Sequence, residues 1–336
     1  MNNREPTGTG KVLVTGGTGF VGSHLVELLL KRGYDVTCLV RDPGRLRWLS
    51  GLRVRIVTGD CSDPASLNAA VRNASIIYHV AGLTKSYRAR EYYAVNQQGT
   101  RNLLDACARQ RDGIRKFVLV SSLAAAGPSQ AGMPVTDSDE PHPVSDYGRS
   151  KLLAEQEALL FKDRFPVVIL RPSAVYGPRD TDVFELFKWA AKGLILDMRG
   201  GERYLNWCYV EDIAEALSLA GERNVPSGSI YFVAEDRVYS ASDFHQALQR
   251  SGGVRAKVIK VPIWMGYAIG ALSEAAGAIR GKASIMSRQE VRAAVQQAWI
   301  YDLAKSRKDL GFIAQVPLED GMKRTWKWYR EHQWIS

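Results

Sequence analysis

The sequence predicts an α/β protein, in which a doubly wound, parallel Rossmann sheet is followed by a smaller, mostly helical substrate domain. Apolar, strand-like runs alternate with helical patterns through the first half of the chain, which is typical of parallel strands joined by helical crossovers. A glycine-rich turn at 15–22 joins the first of these runs to the first helix. With 336 residues, of which 46% are hydrophobic, the chain is long enough to bury a sizeable core.

Six apolar runs are the expected strands of the sheet. They are continuous rather than alternating, as expected for a sheet that helices cover on both faces. Two long helical patterns, at about 89–110 and 145–162, each carry an apolar stripe with helical period. The strand-like runs lie at 12–15, 36–40, 54–58, 76–80, 117–121 and 167–170.

The pattern becomes less regular after Gly177, which indicates a change of domain. We expect residues 9–177 to form a dinucleotide-binding domain, with returning pieces near 205–234. The segments 178–204 and 235–330 would then form the substrate-binding domain.

The glycines of the first turn suit a dinucleotide. Gly16 allows the tight turn, Gly19 lets phosphates approach the backbone, and Gly22 lets the helix pack closely on the strand. The N–H groups at the start of the following helix lie at its positive end, where a pyrophosphate binds well.

Charge and cysteine content narrow the function further. The net charge of +10 is dispersed along the chain without a basic run, which favours small anionic ligands over nucleic acid. The four cysteines include no Cys-x-x-Cys pair, and no charged leader with an apolar core opens the sequence. We therefore expect no metal site and a reducing, cytoplasmic location.

The segment 261–279 is mostly apolar, but Pro262 and Glu274 leave it short of a comfortable membrane span. A buried or lid helix is the favoured interpretation, and membrane contact the alternative.

A tyrosine and a lysine stand one helical turn apart at the start of the second long helix. Because Tyr147 and Lys151 share a helix face, the ammonium is expected to favour the phenolate by about 4 kcal/mol, or roughly three pK units, before desolvation is subtracted. Tyr147 would then exchange a proton near pH 7. Ser122 ends the fifth strand, at the sheet edge where such proteins hold ligands. The alternative is an exposed helix pair without a function.

Small residues end the fourth strand. Val80, Ala81 and Gly82 leave room there for a cofactor. His79, just before them, has no partner at metal-ligand spacing, so we interpret it as a packed histidine.

With these motifs in order, the chain resembles the extended short-chain dehydrogenase/reductase superfamily, which holds nucleotide-sugar epimerases and dehydratases, dihydroflavonol reductases and 3β-hydroxysteroid dehydrogenases. The resemblance rests on the turn at 15–22, Gly59-Asp60, the helix motif around Asn96, Ser122 with Tyr147 and Lys151, and the segment 171–178.

This resemblance implies hydride transfer at C4 of a nicotinamide. Tyr147 is then the acid/base, Ser122 holds the substrate oxygen, and Lys151 binds the ribose and tunes Tyr147. A homodimer through the two long helices at 89–110 and 145–162 is also implied. The expected cofactor contacts are Gly16, Thr18, Gly19, Phe20, Val21, Gly22, Arg41, Asp60, Cys61, Val80, Ala81, Gly82, Asn96, Tyr147, Lys151, Pro172 and Val175.

The end of the second strand predicts NADP (NADPH) rather than NAD. Enzymes of this superfamily that use NAD usually carry an acidic residue at the position of Val40, to accept hydrogen bonds from the ribose hydroxyls. Arg41 follows and can pair with a 2′-phosphate. Arg45 is a possible second phosphate contact, and a merely solvated Arg41 is the alternative.

Two departures from the superfamily pattern bear on the substrate. Nucleotide-sugar enzymes tend to have asparagine where Ala174 stands and arginine where Leu205 stands, and the Asp-Glu pair of dehydratases is missing after Ser122. Candidate substrate contacts are Thr84, Lys85, Ser122, Arg179 and Arg203.

Three functions remain open. The favoured one is an NADP-dependent oxidoreductase that moves a hydride between nicotinamide and a carbonyl or secondary-alcohol substrate. A nucleotide-sugar epimerase or 4-ketoreductase is the alternative. A non-catalytic binding module is disfavoured, because Ser122, Tyr147 and Lys151 are all present.

Overall fold

The computed structural model of the protein describes residues 10–110, 113–130, 133–280 and 287–335. Residues 9, 111–112, 131–132 and 281–286, which fall within the expected domains, lie outside the described residues. In chain order the strands are β1 Lys11–Thr15, β2 Asp35–Val40, β3 Arg55–Thr58, β4 Ile76–His79, β5 Lys116–Val120, β6 Val167–Pro172, β7 Ala174–Tyr176, β8 Leu194–Met198, β9 Tyr204–Tyr209, β10 Ser229–Val233, β11 Val238–Ser240, β12 Lys257–Val261 and β13 Ala298–Trp299.

The central sheet has seven strands in the order β10-β6-β5-β4-β1-β2-β3, and all of its pairs are parallel. Helices cover both faces. Val12 and Val14 of β1 belong to one buried apolar cluster, whereas Leu13 between them belongs to the cluster on the other face. The predicted doubly wound, parallel sheet is confirmed.

The long helices follow the predicted positions. The first is α3 and α4 joined by a π-helical segment at Tyr93–Gln98, and the second is α6. The helices are α1 Phe20–Lys31, α2 Pro64–Val71, α3 Ala89–Tyr92, α4 Gly99–Ala108, α5 Leu123–Ala126, α6 Asp146–Leu159, α7 Phe184–Ala191, α8 Val210–Glu222, α9 Ala241–Gly252, α10 Ile263–Arg280, α11 Arg288–Ala294 and α12 Leu318–Glu331.

The C-terminal half also contains two small sheets. β10 returns to the central sheet beside β6, but β9 lies in a separate sheet with β7, β11 and β13. The third sheet is the parallel pair β8 and β12.

The apolar segment 261–279 forms α10. Of the favoured interpretation, a buried or lid helix, full burial is wrong, since Trp264 is 71% and Leu272 is 72% exposed, and the lid role stays a prediction. In the part of the chain that the structure describes, no helix is long and apolar enough to cross a membrane.

Candidate active site

The glycine-rich turn between β1 and α1 leaves no room for side chains. Gly16 has φ +74°, and a Cβ there would lie 2.6 Å from the backbone nitrogen of Ala81. A Cβ on Gly22 would lie 2.2 Å from the carbonyl oxygen of Gly16, so only glycine fits without a backbone shift. Gly19 caps α1 without a side-chain hydrogen bond, and the first turn of the helix carries no acidic residue. These features leave an open, positive helix end that suits a phosphate.

The carboxyl ends of β1 and β4 lie beside each other at the point where strand order reverses, which is where doubly wound sheets bind ligands. Asn96, in the π-helical segment, holds the loop after β4. Its Oδ1 accepts the N–H of Leu83 at 2.7 Å, and its Nδ2 donates to the Leu83 carbonyl and to Ser150. Asn96 is buried and thus fixes the floor of the cleft rather than projecting into it.

His79 is a packed residue, as its sequence context indicated. Its Nδ1 lies 2.7 Å from the Thr15 hydroxyl and its Nε2 lies 2.9 Å from the Thr100 hydroxyl. Burial lowers the pKa of His79 to about 3, so the ring is neutral and joins β1, β4 and α4.

At the end of β2, Val40 is buried and Arg41 is exposed. Arg45 lies 3.4 Å from the carboxylate of Asp42, within the turn. Asp60 accepts hydrogen bonds from the N–H and the hydroxyl of Ser62, so its carboxylate shapes the loop after β3. At this edge of the sheet, Arg41 offers a cation to a ligand, and position 40 carries no carboxylate.

Ser122, Tyr147 and Lys151 come together above the end of β5. The Ser122 hydroxyl oxygen accepts the N–H of Ala124 at 3.1 Å, which leaves its proton free to donate. Tyr147, in the first turn of α6, is close enough to Ser122 for that hydroxyl to lower its pKa. Lys151 is buried, and its Nζ donates to the carbonyl of Val120 at 2.5 Å. A Cβ on Gly82 would lie 3.5 Å from that Nζ, so the ammonium borders the cofactor side of the cleft.

The pKa of Tyr147 differs from the expected one. The pKa of Tyr147 lies above its ordinary value, because burial outweighs the hydrogen bond with Ser122. The predicted lowering by Lys151 is wrong, since the ammonium is directed at Val120. Tyr147 is therefore a neutral phenol at pH 7, which is the form that donates a proton.

Burial also lowers the pKa of Lys151 to about 8, and the Glu155 carboxylate opposes this shift. Lys151 thus keeps its charge at pH 7. Glu155 forms a buried, bidentate ion pair with Arg171, at 2.9 and 2.7 Å, and accepts a hydrogen bond from the Ser121 hydroxyl. The sequence reasoning missed Glu155, although its position four residues after Lys151 on the same helix stripe was a usable signal.

The proposed substrate cations are paired with carboxylates. Lys85 lies 2.8 Å from Asp182. Arg179 contacts Glu27 at 2.6 Å and Ser23 at 3.1 Å, both on α1, and stacks over Trp48.

Arg203 donates to the Met198 carbonyl at 2.6 Å and pairs with the buried Asp197. Arg179 and Arg203 therefore leave the set of proposed substrate ligands. Lys85 stays in it as half of an ion pair, and Thr84 stays as an exposed hydroxyl.

A small helix, α11, packs against the start of α6 beside Tyr147. The Gln289 side chain, on α11, accepts the N–H of Asp146 and donates to its carboxylate, both at 2.6 Å. The Tyr92 ring lies 6.2 Å from the Tyr147 ring. Sequence reasoning missed Gln289 and Tyr92, because their contacts depend on elements far apart in the chain.

The two departures from the nucleotide-sugar pattern lie in strands. Ala174 of β7 pairs with Trp207, and Leu205 of β9 pairs with Tyr239 and Trp299. Neither position supplies a polar side chain.

Known proteins are similar to this chain over most of its length. The sequence pattern of the NAD dependent epimerase/dehydratase family matches residues 12–234. Ceramide reductase of Caulobacter vibrioides is 31% identical over 329 residues, which cover 97% of this chain and 96% of that protein. A 3 beta-hydroxysteroid dehydrogenase/Delta 5→4-isomerase of Mycobacterium tuberculosis is 29% identical, covering 91% and 86%. The solved structure of MoeE5 in complex with UDP-glucose and NAD has a TM-score of 0.78 at 25% identity, covering 96% of this chain and 100% of that one.

Proposed function

The chain belongs to the NAD dependent epimerase/dehydratase family, within the extended short-chain dehydrogenases/reductases, and we propose that it is an NADP-dependent oxidoreductase for the carbonyl or alcohol group of an apolar small molecule. Its family and its reductase and dehydrogenase relatives make it an NAD(P)-dependent enzyme. The observation that carries the proposal is the neutral Tyr147 between Ser122 and the buried ammonium of Lys151.

The residues of the cleft fit the cofactor. A Cβ on Gly16, Gly19 or Gly22 would crowd the backbone around this turn. The helix α1 begins there without a side-chain cap. We propose that this turn, with Thr18, Phe20 and Val21, holds the pyrophosphate. Asp60 and Cys61 would border the adenine, and Val80, Ala81, Gly82, Asn96, Pro172 and Val175 would border the rest. When bound, NADPH supplies the hydride.

The chain itself supplies the proton. Ser122 would donate a hydrogen bond to the substrate oxygen and so position it, while Tyr147 would transfer its phenol proton to that same oxygen. We propose that Lys151 serves this step from the cofactor side, where its ammonium borders Gly82 and would bind the ribose. Tyr147 is a neutral phenol at pH 7, which is the form that donates this proton when the carbonyl is reduced.

Arg41 supports NADPH over NADH. Its guanidinium is exposed just after β2. Burial raises the pKa of Cys61 to about 12 and the charge of Arg41 opposes that rise, so Arg41 lies near the loop proposed for the adenine end. Val40, in the position where an acid would bind the ribose hydroxyls of NAD, is buried and apolar.

An apolar substrate fits the charges on the other side. Lys85, Arg179 and Arg203 all have carboxylate partners, so a diphosphate would have to break an existing pair. The relatives named for ceramide and for a steroid act on largely hydrocarbon molecules.

A nucleotide-sugar epimerase is the second candidate, favoured by the similarity to MoeE5, which was solved with UDP-glucose and NAD. The absence of a polar side chain at Ala174 and Leu205 speaks against it.

The two candidates separate in one assay. The purified protein is incubated with NADPH and a panel of long-chain ketones, steroid ketones and flavonoid-like ketones, and the loss of NADPH absorbance is followed. In parallel it is incubated with NAD and UDP-glucose. We expect NADPH oxidation with at least one ketone. Conversion of UDP-glucose to its 4-epimer, with no ketone reduced, would establish the epimerase instead.

We further propose a homodimer through α3–α4 and α6, which light scattering of the purified protein tests. The division into a cofactor domain at 9–177, with returning pieces near 205–234, and a substrate domain at 178–204 and 235–330 also remains a proposal. All four cysteines are buried free thiols, which supports a reducing cytoplasm as the location.

A further inference from the structure

α10 packs through its glycines and turns an apolar face outwards. A Cβ on Gly266 would lie 2.5 Å from Cε of Met198, and one on Gly270 would lie 3.0 Å from the nitrogen of Arg288. The glycine face therefore lies tightly on β8 and α11. Every exposed residue between 263 and 275 is apolar: Ile263, Trp264, Met265, Ala268, Ile269, Ala271, Leu272 and Ala275.

This face differs from that of an ordinary surface helix, which is polar where it meets water. Trp264, Ala268 and Leu272 are spaced four residues apart and form one stripe. Two of the most exposed large apolar side chains of the described residues, Trp264 and Leu272, stand at its ends. A stripe of this kind marks an interaction surface.

The apolar surface continues onto the small sheet. Leu196 of β8 and Ile259 of β12 are register partners and both are exposed, so they share one face of the sheet. Met198, at the end of β8, contacts Gly266 of α10. We call the exposed stripe of α10 together with Leu196 and Ile259 the α10 face.

Cations flank this face. Between residues 254 and 277 the chain has three basic residues, Arg255, Lys257 and Lys260, of which Lys260 is paired with Asp197, and one acid, Glu274. Glu274 accepts hydrogen bonds from Arg288 at 2.7 and 2.8 Å and is thereby neutralised. Arg255 and Lys257 are exposed and form no ion pair with any residue that the structure describes.

We propose that the α10 face docks on an anionic lipid bilayer, with α10 lying in the plane of the membrane surface. An apolar stripe with tryptophan and leucine, bordered by lysine and arginine, is the chemistry that binds headgroups and the upper acyl chains. A second copy of the chain fits less well, because a two-fold contact would place these cations against their own equivalents.

Two neighbouring contacts connect the α10 face to the active site. Glu274 of α10 binds Arg288 of α11, and the next residue, Gln289, binds Asp146 beside Tyr147. Docking would hold the active-site entrance close to the bilayer, where an apolar substrate dissolves. The docking itself needs no turnover, so it stands or falls separately from the proposed reaction.

The test is flotation of the purified full-length protein with vesicles. One set of vesicles is phosphatidylcholine alone, and the other is equal parts phosphatidylcholine and phosphatidylglycerol. The variants are Trp264→Ser with Leu272→Ser, which shortens the stripe, and Arg255→Glu with Lys257→Glu, which reverses its charge. Ile313→Ser is the matched control, because Ile313 is an exposed apolar residue away from the α10 face. Circular dichroism checks that each variant is folded.

We expect the wild-type protein to float with the anionic vesicles and to be released by salt. Both double variants should reduce the bound fraction roughly tenfold or more, and Ile313→Ser should not change it. Wild-type protein that stays unbound with anionic vesicles, or binds both vesicle types equally, would overturn the proposal. A stripe variant that turns a dimer into a monomer in light scattering, with wild-type vesicle binding absent, would assign the face to a second copy instead.

Discussion

The two sides of the cleft treat their charged side chains in opposite ways. On the cofactor side, Lys151 is buried and its ammonium donates to the Val120 carbonyl, which is its one hydrogen bond within the described residues, and the Glu155 carboxylate raises its pKa. On the substrate side, Lys85 and Arg203 are bound directly to the carboxylates of Asp182 and Asp197. The ammonium on the cofactor side therefore has no direct carboxylate partner among the described residues, whereas the cations on the proposed substrate side are already ion-paired.

This difference indicates which part of a ligand each side recognises. An unpaired ammonium and an open helix end bind anionic and hydroxyl groups strongly, since binding breaks few existing contacts. Cations that are already paired contribute little net binding energy to a new anion, because an existing pair must be broken first. The cofactor thus supplies the charged part of the complex, and the substrate is expected to be apolar.

The largest effect is expected on the cofactor side, from Tyr147→Phe. Removal of the phenol proton should lower kcat by about 10² to 10⁴ and leave NADPH affinity nearly unchanged. Tyr93→Phe is the control, because Tyr93 bonds the neighbouring Asp146 without joining the catalytic residues. Steady-state kinetics and cofactor titration measure both quantities. A Tyr147→Phe enzyme with most of its turnover would place the acid elsewhere.

Glu155→Gln tests how much the buried ion pair between Glu155 and Arg171 stabilises the protein beside the catalytic residues. It leaves the buried Arg171 without its counter-charge, which typically costs about 3–5 kcal/mol of unfolding free energy. Glu157→Gln, on the same helix, removes the charge of the more exposed pair with Arg101, keeps an amide oxygen for the hydrogen bond from Gln97, and should cost about 0–1 kcal/mol. Denaturant unfolding compares the two. Equal losses would mean that the buried pair is not special to the site.

Arg41→Ala tests the cofactor preference. Loss of a charge-assisted hydrogen bond should weaken NADPH binding by about 1.5–3 kcal/mol and change NADH binding little. Arg45→Ala is the matched control in the same turn, since Arg45 already contacts Asp42. Calorimetry with both cofactors decides the matter, and wild-type protein that binds NADH as tightly as NADPH would refute the preference.

The pH profile tests the charge of Lys151. Its pKa of about 8 lies below that of an ordinary lysine, so the ammonium is present at pH 7 and lost as the pH rises through about 8. Reduction should therefore decline above that pH, because an uncharged Lys151 would hold the cofactor ribose less strongly.

Glu155 raises the pKa of Lys151, so the alkaline limb should move to lower pH in Glu155→Gln and stay in place in Glu157→Gln. Plots of kcat/KM against pH for the three proteins check this. An unmoved limb in Glu155→Gln would assign it to another group.

The smallest effect is expected on the substrate side, from Arg203→Gln. Because Arg203 is the ion-pair partner of Asp197, the KM for the ketone substrate should stay within about twofold of the wild-type value. Thermal unfolding should occur at a lower temperature, since Asp197 keeps only Lys260 as a partner. A large rise in KM at unchanged stability would return Arg203 to the substrate site.

The same contrast separates what the sequence could and could not predict. The glycine turn, the ends of the strands and the spacing of Tyr147 and Lys151 are local patterns, so their placement followed from the sequence. The partners of Arg179 are not local, because Glu27 lies 152 positions away. The raised pKa of Tyr147 and the exposed face of α10 depend on burial in the folded chain, which periodicity alone does not report.

Sequential calorimetry tests the contrast between the two sides most directly. NADPH is titrated into the wild-type protein, and UDP-glucose is then titrated into the same, loaded sample. The account predicts tight, saturable binding of NADPH and no measurable binding of UDP-glucose at low micromolar concentrations. Tight binding of UDP-glucose that is lost in Lys85→Ala or Arg203→Gln would contradict it and show that the paired cations serve a nucleotide sugar.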